Sequence, residues 1–359
     1  MIMYLQNRNT KSIYSSIDKR ILLFSFNDFI NKIVKGKCCF ICGAEPNSKE
    51  FNNEHIIPKW ILKSYGNQNS FMILPNHSEI KNNKYLIPCC KDCNSELGII
   101  LENPMSSLLQ KNYDEVCKEL ESDKSLYLKI YHWASLIFFK THLKDAALLK
   151  DRDIRKGSGT IGDDFSWQGL FGIHNLLRHH HTGAKISDNA YGTVLLFESL
   201  VEQESETFDY LDNLNSQIVM IQVGKIVIFV VLNDCQACIS FYETFLNKIT
   251  GSLNSIQIRE LFARLRYIND NLKYRPRFFT QFKFNKHKIL ARRPKKLELY
   301  KGEQEKSSLF KLMRFYIGDI MPDKLPNKEK LLNDLEQGKA QYIFDENFNF
   351  FQYKPYRNS

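Results

Sequence analysis

Cys39-Phe40-Ile41-Cys42, then Glu54-His55-Ile56-Ile57-Pro58-Lys59-Trp60, then Cys90-Lys91-Asp92-Cys93-Asn94 is the stretch whose reading decides the fold. A Cys-x-x-Cys turn presents two sulfurs on one side, and two such turns supply four thiolates to one tetrahedral zinc. The 47 residues between Cys42 and Cys90 leave room for a two-stranded hairpin and its loop. A closed four-cysteine site has no open coordination position, so Zn²⁺ held by Cys39, Cys42, Cys90 and Cys93 is expected to be structural. Chemistry must then come from the residues between and beside the knuckles.

Glu54-His55 and Asn94 are the candidates. Hydrolysis of a phosphodiester needs a base to deprotonate water and a divalent cation to neutralise charge on the phosphate. His55 suits the base. Glu54 and the side-chain oxygen of Asn94 are hard oxygen ligands of the kind that hold Mg²⁺ or Mn²⁺.

In this order, the three elements resemble the zinc-stapled branch of the HNH, or ββα-metal, endonucleases. The resemblance covers roughly residues 37 to 105. It implies His55 as general base, Glu54 and Asn94 as ligands of a catalytic Mg²⁺ or Mn²⁺, and the four cysteines on a structural Zn²⁺. It further implies cleavage of nucleic acid, DNA before RNA, leaving a 5′-phosphate. Glu54 stands where Asp is commoner in that family. For the family's middle Asn, Asn67, Asn69, Asn76 and Asn83 compete, with Asn76-His77 favoured. By the same analogy, such cores joined to unfamiliar domains belong to mobile elements, restriction or antiphage defence.

Outward from this core, the expected fold class is α+β: a helical lead-in over 1–36, the nuclease core over 37–110, and a larger α+β domain over 111–359. That last domain would serve specificity, a protein partner or regulation. The apolar positions at Ile21 to Phe24 and Phe29-Ile30 are spaced for a helix. Ser125 to Lys150 reads as a long buried helix, and Ile256 to Ile268 and Lys328 to Gln337 as shorter ones, the latter behind Pro326-Asn327. Val/Ile/Phe runs at Gly192 to Leu200 and Ser216 to Leu232 read as strands, with a turn at Gly224.

The chain of 359 residues carries a net charge of +10. Between Gly251 and Lys301 there are fourteen basic residues against three acids, a local +11, so the rest of the chain is nearly neutral. Arg292, Arg293, Lys295 and Lys296 are the expected phosphate contacts. Tyr267, Tyr274, Phe278, Phe279, Phe282 and Phe284 interleave with this stretch in a pattern that suits base stacking or inward packing. Nine cysteines, six of them in three Cys-x-x-Cys pairs, with no signal peptide, suggest a reducing, cytoplasmic setting. No apolar run approaches the roughly 20 residues a bilayer requires, so no membrane partner is expected. Cys38, Cys89, Cys235 and Cys238 read as packing thiols, Glu102 as a solvated helix residue in preference to a further approach to the metal, and Arg178-His179-His180-His181 as an exposed loop in preference to a phosphate or metal contact.

Two further classes of function stay open on these residues. One is a zinc-stapled nucleic-acid-binding protein without catalysis. The other is a nuclease gated by a ligand or protein bound to the C-terminal domain.

Overall fold

The computed structural model describes residues 4–65, 69–203, 207–283 and 286–353. Along the chain come β1 (Tyr4–Gln6), β2 (Ile13–Ser15), β3 (Ile21–Leu23), α1 (Phe26–Asp28) with a wider π-type turn at Phe29–Val34, β4 (Phe51–His55) and α2 (Lys59–Ser64). Next are β5 (Phe71–Ile73), β6 (Glu79–Lys81), β7 (Leu86–Cys90), α3 (Lys91–Leu97), a second π-type turn at Gly98–Glu102, α4 (Asn103–Leu109), α5 (Tyr113–Ser122) and α6 (Ser125–Asp145). Then follow α7 (Trp167–Leu177), α8 (His179–Thr182), β8 (Lys185–Ile186), β9 (Thr193–Glu198), β10 (Phe208–Asn213), β11 (Ile218–Val223) and β12 (Ile226–Val231). The chain ends with α9 (Ala237–Leu246), α10 (Ser255–Asn271), β13 (Arg277–Lys283), β14 (Lys286–Arg292), α11 (Leu309–Ile320) and α12 (Lys328–Glu336). The class is α+β, as expected.

The elements gather into two compact units that are discontinuous in sequence, whereas the expected domains are consecutive. Unit 1 holds 1–110, 123–190 and 278–291; unit 2 holds 111–122, 191–277 and 292–359.

In unit 1, β4 and β7 pair antiparallel in the register Phe51↔Cys90, Asn52↔Cys89, Asn53↔Pro88, Glu54↔Ile87 and His55↔Leu86, and α3 follows β7 without a linker. Behind them runs α6, apolar around most of its circumference and buried continuously from Ile130 to His142. A helix buried on all sides carries no single apolar stripe, which is why it reads as core.

The lead-in departs from expectation. Tyr4 to Leu23 forms the antiparallel meander β1-β2-β3, in which Ile13 faces Leu23 and Tyr14 faces Ile21. The helix begins only at Phe26, because the Ser25 hydroxyl caps it by accepting from the Asp28 N–H at 3.1 Å. Ile21 and Leu22 therefore bury themselves from a strand rather than a helix face.

Unit 2 is built on a four-stranded antiparallel sheet of order β10-β11-β12-β9. β11 and β12 are buried at every position, which explains their unbroken Ile/Val/Phe runs. They meet in a tight turn between Val223 and Ile226, with Gly224 at φ +58° supplying the left-handed conformation. α10 packs on this sheet, and its start is closed reciprocally. Asn254 Oδ1 accepts from the Gln257 N–H at 2.9 Å, while Gln257 Oε1 accepts from the Asn254 N–H at 3.0 Å.

Candidate metal centre and catalytic cluster

The first knuckle turns at Gly43, whose φ of +77° places it in the left-handed region and whose Cα lies against the Phe24 ring, so a side chain there would be both strained and obstructed. Backbone bonds Cys39 N–H to Ala44 O and Gly43 N–H to Cys39 O, both 2.8 Å, close the turn. The second knuckle joins the end of β7 to the first turn of α3, placing Cys90 before the helix and Cys93 inside it.

The Sγ atoms of Cys39, Cys42, Cys90 and Cys93 all lie within 4.8 Å of one another. Cys42 and Cys90 are 3.7 Å apart, close to the edge of about 3.8 Å that a tetrahedron with Zn–S bonds of about 2.3 Å requires. Four sulfurs at that spacing are consistent with a zinc staple. Without a cation they compete for one another's protons. The Cys39 thiol is driven low because Cys42, Cys89 and Cys93 donate to its sulfur, and the donation pushes Cys42 up to about 12 and Cys93 up as well. Cys89 lies 3.8 Å from Cys39, a second neighbour outside the four-sulfur set.

A buried arm from α7 and α8 braces this knuckle. His174 Nε2 meets the Phe40 carbonyl at 2.7 Å, the Arg178 guanidinium donates to the Ile41 and Ile21 carbonyls, and its Cζ lies 4.4 Å from the centre of the Phe24 ring. Burial lowers Arg178 to about 9 against the opposing pull of Cys42, Cys39 and Cys93, so a cation stands in the field of the sulfurs.

Glu54 and His55 end β4. Burial lowers the His55 imidazole below its usual value, with Glu54 opposing and Lys59 and Lys140 adding, which favours the neutral form that can take a proton. Because side chains alternate along a strand, Glu54 shares its face with Asn52, not with His55. Asn94, on α3, reaches that face: its Nδ2 donates to Asn52 Oδ1 at 3.0 Å. Asn52 is a member of the cluster that the sequence reading missed; its signal is the two-residue spacing back from Glu54.

Two further residues arrive from afar. Lys140 of α6, with no exposed side-chain surface, donates to Glu54 Oε1 at 2.9 Å and to the His55 carbonyl at 2.7 Å. Glu102 corrects the expectation of a solvated residue. The wide turn at Gly98–Glu102 shifts the helical phase by about one residue, and Glu102 Oε2 accepts from the indoles of Trp60 at 3.3 Å and Trp133 at 3.4 Å. Its Oε1 is sealed from solvent without a hydrogen-bond partner. Burial raises the Glu102 carboxyl, with Lys140 opposing and Glu54 adding, so the two acids and the lysine feel one another's charge. Glu54, Glu102 and Lys140 thus form one charge-coupled group, the Asn52–Asn94 amide pair meets the strand face that Glu54 shares, and the His55 imidazole leaves β4 on the other face.

Among the described residues, the candidates for a middle Asn make contacts elsewhere. Asn76 Nδ2 donates to the Leu149 carbonyl at 3.1 Å while its Oδ1 accepts from Ser78 N–H and Oγ at 3.1 and 2.6 Å, which shapes a turn. Asn83 and Asn69 meet each other at 3.5 Å, and Asn67 lies outside the described residues.

In unit 2, Arg292, Arg293, Lys295 and Lys296 are exposed; Arg293 touches Gln236 Oε1 at 3.3 Å and Lys296 stands 4.0 Å from Glu298. In β13, alternate positions are exposed, so Phe278 and Phe282 turn inward while Phe279 stays open; Phe284 lies outside the described residues. Cys235 and Cys238 are buried thiols, as expected. The histidine run corrects the expectation of a loop, for it forms α8 with His179 and His181 half-buried. No helix among the described residues is long and apolar enough to cross a membrane.

No family model, curated protein or solved structure matches this chain.

Proposed function

We propose that the chain is a metal-dependent HNH endonuclease that hydrolyses phosphodiester bonds in nucleic acid, with DNA the favoured substrate. The observation that carries this reading is the meeting of the β4 strand face and α3 beside a four-sulfur cluster, with Glu54, Asn52 and Asn94 on that face and His55 at the strand's end. In this reading the cysteines hold a structural Zn²⁺, and the staple fixes α3 against the strands.

His55 takes the proton from the attacking water, and its depressed basicity keeps the imidazole neutral and ready near pH 7. Glu54 and Asn94, an all-oxygen donor set, suit Mg²⁺ or Mn²⁺, which when bound neutralises charge on the scissile phosphate. Lys140 orients the Glu54 carboxylate and fixes the carbonyl of the base itself. Exposed Arg292, Arg293, Lys295 and Lys296 serve as backbone contacts for the polyanion.

One observation favours a gated version of the same enzyme. Lys140 already neutralises Glu54, so a partner or ligand that draws this lysine away would free the carboxylate for a cation.

The test is cleavage of supercoiled plasmid by full-length wild type and His55→Ala, with Mg²⁺, Mn²⁺ or EDTA. Expected is metal-dependent nicking or linearisation that falls by at least about 100-fold in His55→Ala. Equal cleavage by both proteins would remove His55 from the mechanism. Plasmid binding without cleavage in either metal would leave the gated nuclease or a purely binding role.

A further inference from the structure

α6 and α8 bring together a second group of ligating side chains that the proposed nuclease does not use. One ring nitrogen each of His132, His179 and His180 lies within 4.8 Å of the others. The rings crowd one another, with centroids 4.3 Å apart for His132 and His179 and 3.6 Å for His179 and His180.

Three imidazoles so close are an unusual use of buried space. His132 is 4% exposed on the most deeply buried helix of unit 1. His179 Nε2 is shut off from solvent with no side-chain or backbone partner, and a buried polar atom left so is costly unless something binds it. His180, by contrast, is exposed, so the group has one open side. The segment that carries two of the three is also held in place. Arg178, directly before His179, is fixed to the Ile41 and Ile21 carbonyls, and His174 to that of Phe40.

Such a set has the requirements of a cation site: several neutral nitrogen donors, a rigid frame and a path from solvent. Zinc bound by three imidazoles at about 2.0–2.1 Å needs nitrogens about 3.3 Å apart, which small ring rotations provide from the observed spread. A carboxylate-free, all-imidazole set selects zinc or a neighbouring transition metal over Mg²⁺ or Ca²⁺. We propose that His132, His179 and His180 form a second transition-metal site, which takes Zn²⁺ through three imidazoles and keeps its fourth position, on the His180 side, for water or an exchangeable anion. The cluster of Cys93, Glu96 and His181 is a weaker competitor, since Cys93 is already one of the four staple sulfurs.

The site is independent of the nuclease reading, and metal counting tests it. Full-length wild type, His179→Gln and His180→Gln are stripped of metal, reloaded with Zn²⁺, passed through gel filtration and analysed for zinc per chain, with circular dichroism to confirm folding. His180 is exposed, so its replacement spares the fold even if that of His179 does not. Expected are two zinc ions per wild-type chain and one in each folded variant. Titration with Co²⁺ separates the sites: thiolate-to-metal charge transfer reports the staple, while a further equivalent with ligand-field bands alone reports the imidazoles. Loss of that further equivalent in His180→Gln, with the thiolate band unchanged, supports the proposal. A wild type with no equivalent that shows ligand-field bands alone, or such an equivalent that survives in His180→Gln, overturns it.

Discussion

Lys140 sits with its whole side chain out of solvent and its ammonium between the Glu54 carboxylate and the His55 carbonyl. A buried charge is tolerated when it is paired, and removal of one partner strands the other. Lys140→Met should therefore cost about 3 kcal/mol of stability in urea unfolding, and Lys140→Met combined with Glu54→Gln should recover a good part of it. A single-variant loss below about 1 kcal/mol would show that the pair is not coupled as described. His287 makes a different demand. Burial holds it down to about 4, from an ordinary 6.5. The unfolded chain takes up a proton as the pH drops through 6.5, whereas the folded chain refuses it until about pH 4, so stability present above 6.5 is lost across that window. Melting temperatures of His287→Gln should fall less steeply than those of wild type between these limits, and parallel curves would refute the assignment. At this scale the sequence was generous with the cysteines, Glu54, His55 and Asn94, because each stands in a local motif. It was silent on Lys140 and favoured a solvated face for Glu102, because their partners lie 86 residues away for Lys140 and 42 and 31 for Glu102, beyond the reach of local spacing.

At the scale of elements, length and continuity governed what could be foreseen. α6 and the β11–β12 hairpin were legible because one is a long uninterrupted apolar helix and the other a pair of apolar runs around a glycine turn. The three-residue strands of the lead-in were not, since Ile13, Tyr14 and Ile21 to Leu23 acquire their meaning only by pairing with each other. β10 was hidden in an acidic stretch, although Phe208, Tyr210 and Asp209, Leu211 fall on alternate faces. α8 is too short to show a period. The pairing of β9 with β12 rests on a close approach at Gly192, where an added Cβ would stand 1.8 Å from the Val231 carbonyl oxygen. Both atoms are backbone-bound and cannot yield by rotamer change, so Gly192→Ala should lower unit 2 stability by about 2–3 kcal/mol in denaturant unfolding. Unchanged stability would mean that the sheet edge shifts freely.

Over the whole molecule, each unit has its own interior. That of unit 2 runs from Ile218 and Phe229 through Leu261 and Phe262 to Met313, Ile317 and Leu335 without needing a metal. Unit 1 contains all four staple cysteines, and a metal whose ligands are assembled only by folding contributes its binding energy to that folding. Calorimetry of the zinc-loaded protein should resolve two transitions, and a strong chelator should lower one of them while leaving the other in place. A single transition that chelation does not move would contradict both the zinc staple and the independence of the two interiors.

The interleaving of the two units bears on how the protein is made. The staple cysteines and the Glu54-His55 pair are synthesised within the first hundred residues, yet unit 1 also needs 278–291, where β14 lies parallel to β8 through Lys288↔Lys185 and Ile289↔Ile186. A ribosome must therefore translate on through 278–291 before unit 1 can close. A message cut or stalled between Asn94 and residue 278 yields a chain with Glu54, His55 and Asn94 and an unfinished frame, so unit 1 stays open long after its proposed catalytic residues exist.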